Sequence, residues 1–161
     1  MNSVPTKFDR LDMNRLITFT QQAFQKVGTN ERDASLMAKL LVETDLRGVF
    51  SHGTRQLDGY IQMMIDQKVN PRPNIQIEVS GQTTAVFDGD GGMGHLPSYQ
   101  AAQFVVEAAK SSGIAGAVTR NHFHFGAAGK YSRLALEQDC IGFATSAHRF
   151  RPSKDHSILS A

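Results

Sequence analysis

Two short stretches of this chain carry side chains suited to chemistry. Ser51-His52-Gly53 follows Asp45-Leu-Arg-Gly48, and Arg55 comes three residues after the histidine. Imidazole titrates near neutrality, so His52 is suited to act as a proton donor. A guanidinium one turn away is suited to grip a carboxylate, and Ser51 can fix the tautomer of the ring by a hydrogen bond. The bland alternative is a histidine that only caps the helix after it. The second stretch is His122-Phe-His124-Phe125-Gly126-Ala127-Ala128-Gly129. Small residues opening a helix leave N–H groups that can hold a phosphate. Read instead as a strand, the stretch would put His122 and His124 on one face as two metal ligands. No carboxylate or cysteine sits beside them and no H-E-x-x-H occurs, while His95, His148 and His156 have no ligand-like spacing. No metal is expected.

A third stretch, Gly89-Asp-Gly-Gly-Met-Gly94, satisfies G-x-G-x-x-G between an expected strand and an expected helix. A dinucleotide-binding turn of the Rossmann type would have this form. However, the next strand ends at Thr119-Arg120 and not in an acidic residue, and a hairpin strand precedes the glycines, whereas the fingerprint usually opens its domain. The glycines are read as serving backbone geometry, with cofactor contact unassigned.

These stretches need elements to hold them. From Asp12, Leu16, Phe19, Ala23 and Val27 recur at helical spacing and Gly28 stops the segment. Asn30 can cap a second helix whose stripe is Ala34, Met37, Leu41 and Val42. A third runs from about Thr54 to Gln67 with Leu57, Ile61, Met64 and Ile65 inward. Asn70-Pro-Arg-Pro-Asn74 marks the best internal boundary. Ile75, Ile77 and Val79 alternate with polar residues, and a turn at Gly81-Gln82 leads into Thr83–Asp88, so a hairpin is expected. Pro97-Ser98 starts a helix that Gly113 ends. Ile114–Val118 suits a buried strand, a helix passes through Tyr131, Leu134 and Leu136, and Cys140–Thr145 suits another strand. The expected architecture is α/β: a helical part over residues 1–73, a strand-and-helix part on a mixed sheet over 74–146, and an unpatterned tail over 147–161.

Composition narrows the partners. With 40% hydrophobic and 20% charged residues, the 161-residue chain has globular proportions. A formal charge of +2 and the absence of basic runs argue against nucleic acid. One cysteine excludes an internal disulfide and fits a reducing compartment. No signal-like or membrane-spanning run occurs, so a soluble cytoplasmic protein is expected.

Asp45-Leu-Arg-Gly48 with Ser51-His-Gly53, and His124-Phe-Gly126-Ala-Ala128, resemble the signatures of the malate/L-lactate/ureidoglycolate dehydrogenase family. The similarity runs from about Leu11 to Ser146. It implies a non-Rossmann, NAD(P)-dependent oxidoreductase acting between a nicotinamide (NAD or NADP) and a small 2-hydroxy, 2-oxo or imino acid. It implies that His52 is the proton donor, with Ser51 and an aspartate farther along the chain forming a relay. His124, Phe125, Gly126, Ala127 and Ala128 would lie against the cofactor, and the protein would be a homodimer. In the family an arginine sits four residues after the histidine. Here that position is Gln56, with Arg55 one place earlier, and on a helix one place swings a side chain by about 100°. Arg55 or Gln56 is the expected substrate-carboxylate contact. Members of the family are longer, so the chain reads as an N-terminal half that alone would lack turnover. The alternatives are a truncated, non-catalytic remnant and a histidine–metal hydrolase using His122 and His124.

Overall fold

The computed structural model describes residues 6–7, 9–79 and 81–146. Helix α1 (Met13–Lys26) begins where Asp12 accepts a hydrogen bond from the Arg15 N–H at 2.9 Å. Helix α2 (Glu31–Leu46) begins at Asn30, which accepts from the Asp33 N–H and donates its own amide to the Asp33 carboxylate. The first of these satisfies one of the N–H groups that a helix leaves open at its start, and the second holds the capping side chain in place. The expected stripe of α2 is the buried one, with Ala34, Met37, Leu41 and Val42 all inside. On α1 the buried face centres on Thr20 and Phe24, while Phe19 is 62% exposed. Leu16, Ala23 and Val27 flank that face, so the stripe holds except at Phe19, which lies one place off it.

At its C-terminal end α2 closes with Gly48 in the left-handed region at φ +75°, its N–H on the Asp45 carbonyl and the Val49 N–H on that of Thr44. This is a Schellman closure, which a residue with a side chain adopts reluctantly. Two 3₁₀ turns follow, Phe50–His52 and Thr54–Gln56, before α3 (Leu57–Ile65). The expected single helix from Thr54 is therefore tighter at its start. Its inner face also differs: Tyr60 and Met64 are buried and Ile65 is exposed.

Beyond the two prolines, β1 (Gln76–Val79) and β2 (Thr84–Asp88) form the expected antiparallel hairpin. Helix α4 (His95–Ser112) starts two residues before Pro97 and ends, as expected, at Gly113. Strand β3 (Gly116–Arg120) pairs parallel to β2, which makes the sheet mixed, in the order β1-β2-β3. Helix α5 (Gly129–Leu136) packs on α4. The main core joins Phe24, Met37, Leu41, Tyr60, Met64 and Val69 to Met93 and Leu96 from beyond the prolines.

Two expectations for strands fail. The segment expected to be a buried strand, as β3, alternates between exposed and half-buried positions, with Ile114 and Val118 exposed. It lies at the sheet edge, and α4 covers the face carrying Ala117. Residues 140–145 are not a strand, since among the described residues no neighbour supplies a ladder, and Ile141 and Phe143 are exposed. The tail at 147–161, with His148 and His156, lies outside the described residues.

The glycine-rich turn 89–94 resolves as geometry. The N–H groups of Gly89, Gly91 and Gly94 donate to the carbonyls of Arg120, Asn121 and His124, and that of Gly92 donates to Gly89. None of these four is left for a phosphate. A Cβ at Gly92 would stand 2.7 Å from Pro73, and one at Gly94 2.5 Å from His122.

The turn bearing Ser51 and His52 is held by Asp45. Its Oδ2 accepts from the Thr54 N–H at 2.9 Å and from the Thr54 hydroxyl, and a Cβ on Gly53 would stand 1.8 Å from its Oδ1. Gly53→Ala should therefore displace Asp45 and cost about 1–3 kcal/mol of stability. The check is a denaturation cycle with Asp45→Ala. In that background the glycine change should cost only about a few tenths of a kcal/mol; additive costs would show that Asp45 is not the clash.

Candidate active site

Ser51 and His52 line one cleft together with Phe125, Gly126, Ala127 and Ala128 and with residues 144–146. Its volume is about 550 Å³. Two motifs more than seventy positions apart in sequence thus meet in space. The Ser51 hydroxyl lies 2.8 Å from His52 Nδ1. A hydroxyl there can accept from a protonated Nδ1 or donate to a bare one, so it holds the ring in either state. The His52 and His124 rings approach to 5.6 Å between centroids.

His124 is fixed from behind, its Nδ1 being 2.7 Å from the Tyr60 hydroxyl. Burial lowers its pKa, and the charges of His52 and Lys130 lower it further. Burial also raises the Tyr60 phenol, so it stays a neutral partner. His95 is wholly buried, edge-on to Tyr60 at 5.7 Å and to His124 at 6.5 Å. Burial first, and then the Lys130 charge, hold it well below the usual histidine range, so it is neutral. Lys130 is only 3% exposed. Its Nζ lies 3.0 Å from His95 Nε2 and 3.4 Å from the His52 carbonyl. Burial, and then Arg47, bring this amine down to about 7, against the opposing pull of Asp45.

The remaining residues fall elsewhere. Arg55 is exposed, on the second 3₁₀ turn, and is not part of the cleft wall. Gln56 also stands outside that wall and donates its side-chain amide to the Ser51 carbonyl at 2.7 Å, bracing the turn. The strand reading of His122 and His124 fails, because β3 ends at Arg120 and both occupy loop. His122 is engaged separately, with Nδ1 2.7 Å from the Phe123 carbonyl and Nε2 2.8 Å from the Thr119 hydroxyl. Among the described residues there is no group of three or more His, Cys, Asp or Glu able to hold a metal.

Gly126 is needed for a reason that its sequence neighbours did not show. Its φ is +78°, and a Cβ would stand 2.6 Å from His95 Nε2 and 2.8 Å from Lys130 Nζ. Packing against the buried pair thus demands glycine, whatever binds in front. Tyr60, His95 and Lys130 were all missed as site residues. Tyr60 had a signal, since it is three places from Leu57 and four from Met64 on the inner face of α3. Lys130 had none, because lysine is rarely buried.

In the unfolded chain the Lys130 amine holds its proton up to its ordinary value of 10.5, whereas in the fold it releases it near 7. The unfolded state binds more protons across that window, so this group makes stability rise with pH from 7 to 10.5 and costs most at or below 7. Lys130→Met should therefore gain most in Tm, relative to the unsubstituted chain, at pH 6, and lose that gain by pH 10. A difference that does not change with pH would show that the amine does not titrate in this window.

Comparison with known proteins gives this geometry a family. A family model described as malate/L-lactate dehydrogenase matches residues 11–152. The malate dehydrogenase of Pyrococcus horikoshii is 36% identical over 146 residues, which cover 91% of this chain and 41% of that protein. The L-sulfolactate dehydrogenase of Methanocaldococcus jannaschii is 41% identical over 118 residues, covering 73% of this chain and 34% of that protein. The solved structure of the Pyrococcus horikoshii enzyme superposes with a TM-score of 0.79 at 36% identity, covering 86% of this chain and 40% of that one. This chain thus spans roughly two-fifths or less of the relatives' length. Its mixed α/β architecture is theirs, and it belongs to the malate/L-lactate dehydrogenase family.

Proposed function

We propose that this chain carries the proton-donor side of the active site of an NAD(P)-dependent dehydrogenase of small 2-hydroxy acids. The observation that carries this reading is the Ser51–His52 pair facing the 125–128 loop across one cleft, in a chain of this family. The relatives bear the names malate and sulfolactate dehydrogenase, and both acids carry a second anionic group beside the 2-hydroxy carboxylate. A small dianionic 2-hydroxy or 2-oxo acid is the substrate class we favour.

A bound nicotinamide would supply or accept the hydride. The residues present fit such a cofactor. Among the described residues no backbone or side-chain acceptor takes the N–H groups of Gly126, Ala127 or Ala128, and their side chains are small. Those donors would hold a cofactor phosphate, with Phe125 stacked on Tyr131 at 5.4 Å behind them. In the reductive direction a protonated His52 ring, its Nδ1–H donated to the Ser51 oxygen, would give its Nε2 proton to the oxygen of the reduced carbon and be left neutral, with Ser51 keeping Nδ1 engaged so that the ring stays turned for that transfer. Arg55 and Gln56 act from outside the cleft wall: Gln56 holds the Ser51 backbone, and the Arg55 charge draws in the anionic substrate. NAD and NADP fit this reading equally. A homodimer in the cytoplasm accords with it, and no helix among the described residues is long and apolar enough to cross a membrane.

The test uses the full-length protein that contains this stretch. His52→Ala should lower kcat about 10²–10⁴-fold in the oxidation of malate or reduction of oxaloacetate, with dinucleotide affinity kept within about twofold. Ser51→Ala should retain more activity than His52→Ala, because it removes the orienting bond and not the proton. Near-normal turnover by the His52 variant would sink the reading.

A further inference from the structure

The cleft wall contains no lysine, arginine, aspartate or glutamate among the described residues. A site for anions would then rest on backbone N–H groups and on whatever charge lies behind them. The buried amine in that position is Lys130. It sits beneath Gly126, so close that a Cβ on that glycine would meet its Nζ at 2.8 Å, and it is 3% exposed. No ion pair to a carboxylate is made by it among the described residues; its near partners are His95 Nε2 and the His52 carbonyl. A buried ammonium with no paired carboxylate is costly, and an anion in front of Gly126 would relieve that cost.

We propose that Lys130 is the buried counter-charge for an oxyanion bound on the 125–128 loop, and that anion binding and protonation of this amine are coupled. The inference rests on the loop's assignment as a binding surface. The oxyanion is either a phosphate of the dinucleotide or a carboxylate of the substrate, since both present the same charge and acceptors.

The groups around the amine set the direction of coupling. Arg47 from the end of α2 opposes its charge and Asp45 favours it. His95 on α4 is neutral and can accept from it; His124 from the loop and Tyr60 from α3 surround that ring, and Tyr131 follows Lys130 on α5 with its phenol held neutral by burial. His52 lends a backbone carbonyl. With the amine's midpoint brought to about 7, it is about half protonated at neutral pH without ligand. A bound oxyanion pulls that midpoint upward, and by linkage a proton enters as the anion binds.

Calorimetry on the full-length protein in buffers of differing ionisation heat reads this directly. ADP-ribose serves as the phosphate probe and oxalate as the carboxylate probe. One of the two should take up about half a proton per site at pH 7 and almost none at pH 5, with affinity falling up to about tenfold per pH unit above 7. The probe showing the uptake identifies which anion lies over Gly126. Lys130→Met should weaken that probe's binding and abolish the uptake, while Lys130→Arg, always charged, should bind without taking up protons. If the arginine variant does not fold, the 13C shift of the Lys130 ε-carbon in the unsubstituted protein must move toward the charged form when the probe is added at pH 7. Binding with an unchanged proton count in Lys130→Met, or an unmoved ε-carbon shift, overturns this inference and leaves the functional reading standing. Binding of neither probe removes both.

Discussion

The Asp45 carboxylate and Thr54, tied across Gly53, fix the geometry on which the candidate site depends. One side chain at the end of α2 takes both donors of the residue that opens the next turn, and the backbone between them has no room for a Cβ. That tie converts a helix end into a sharp corner, and Ser51 and His52 sit on the corner. Gln56 adds a second tie from the far side through the Ser51 carbonyl. The position where the family pattern places a substrate-gripping arginine is here spent on shape.

Behind the corner, polar groups are packed where a core would ordinarily be apolar. His52, His124, His95, Tyr60 and Lys130 form a connected cluster: His52 lines the cleft, His124 is half-buried, and His95, Tyr60 and Lys130 are buried. Burial pushes His124, His95 and Lys130 toward their neutral forms and keeps the Tyr60 phenol neutral, so this inner part of the cluster is held with few net charges. A low local dielectric makes its remaining charge felt over a longer distance than in water. The placement of histidines in such a cluster differs from a metal site, since each ring is bonded to an oxygen or an amine.

Features set by local chemistry were legible in the sequence. Asn30 as a cap, Gly113 as a stop, the hairpin and the α2 stripe depend on residues within a turn or two of one another. Features set by distant neighbours were not. Phe19 and Ile65 have the right spacing for a buried stripe, but which line of a helix faces inward is decided by what packs there. Ile141 and Phe143 have strand character, and a strand also requires a partner. Ser51-His52 and the loop at 124–128 were both legible as separate motifs. Their meeting around one cleft, and the burial of Lys130 behind it, arise only when α2, α4 and α5 are brought together.

The glycine turn has a mechanical consequence. Hydrogen bonds from Gly89, Gly91 and Gly94 to residues 120, 121 and 124, and one returning from Phe123 to Gly92, stitch it to the loop that carries His124. Two strands of irregular backbone stapled in this way behave as one plate, and the side chains of Pro73 and His122 pack closely against its glycines. Such a plate does not hinge at its middle. The stretch that leads into the cleft wall at Phe125 is thus anchored before it arrives there, so the wall it carries is a fixed anvil whose shape is set before anything binds.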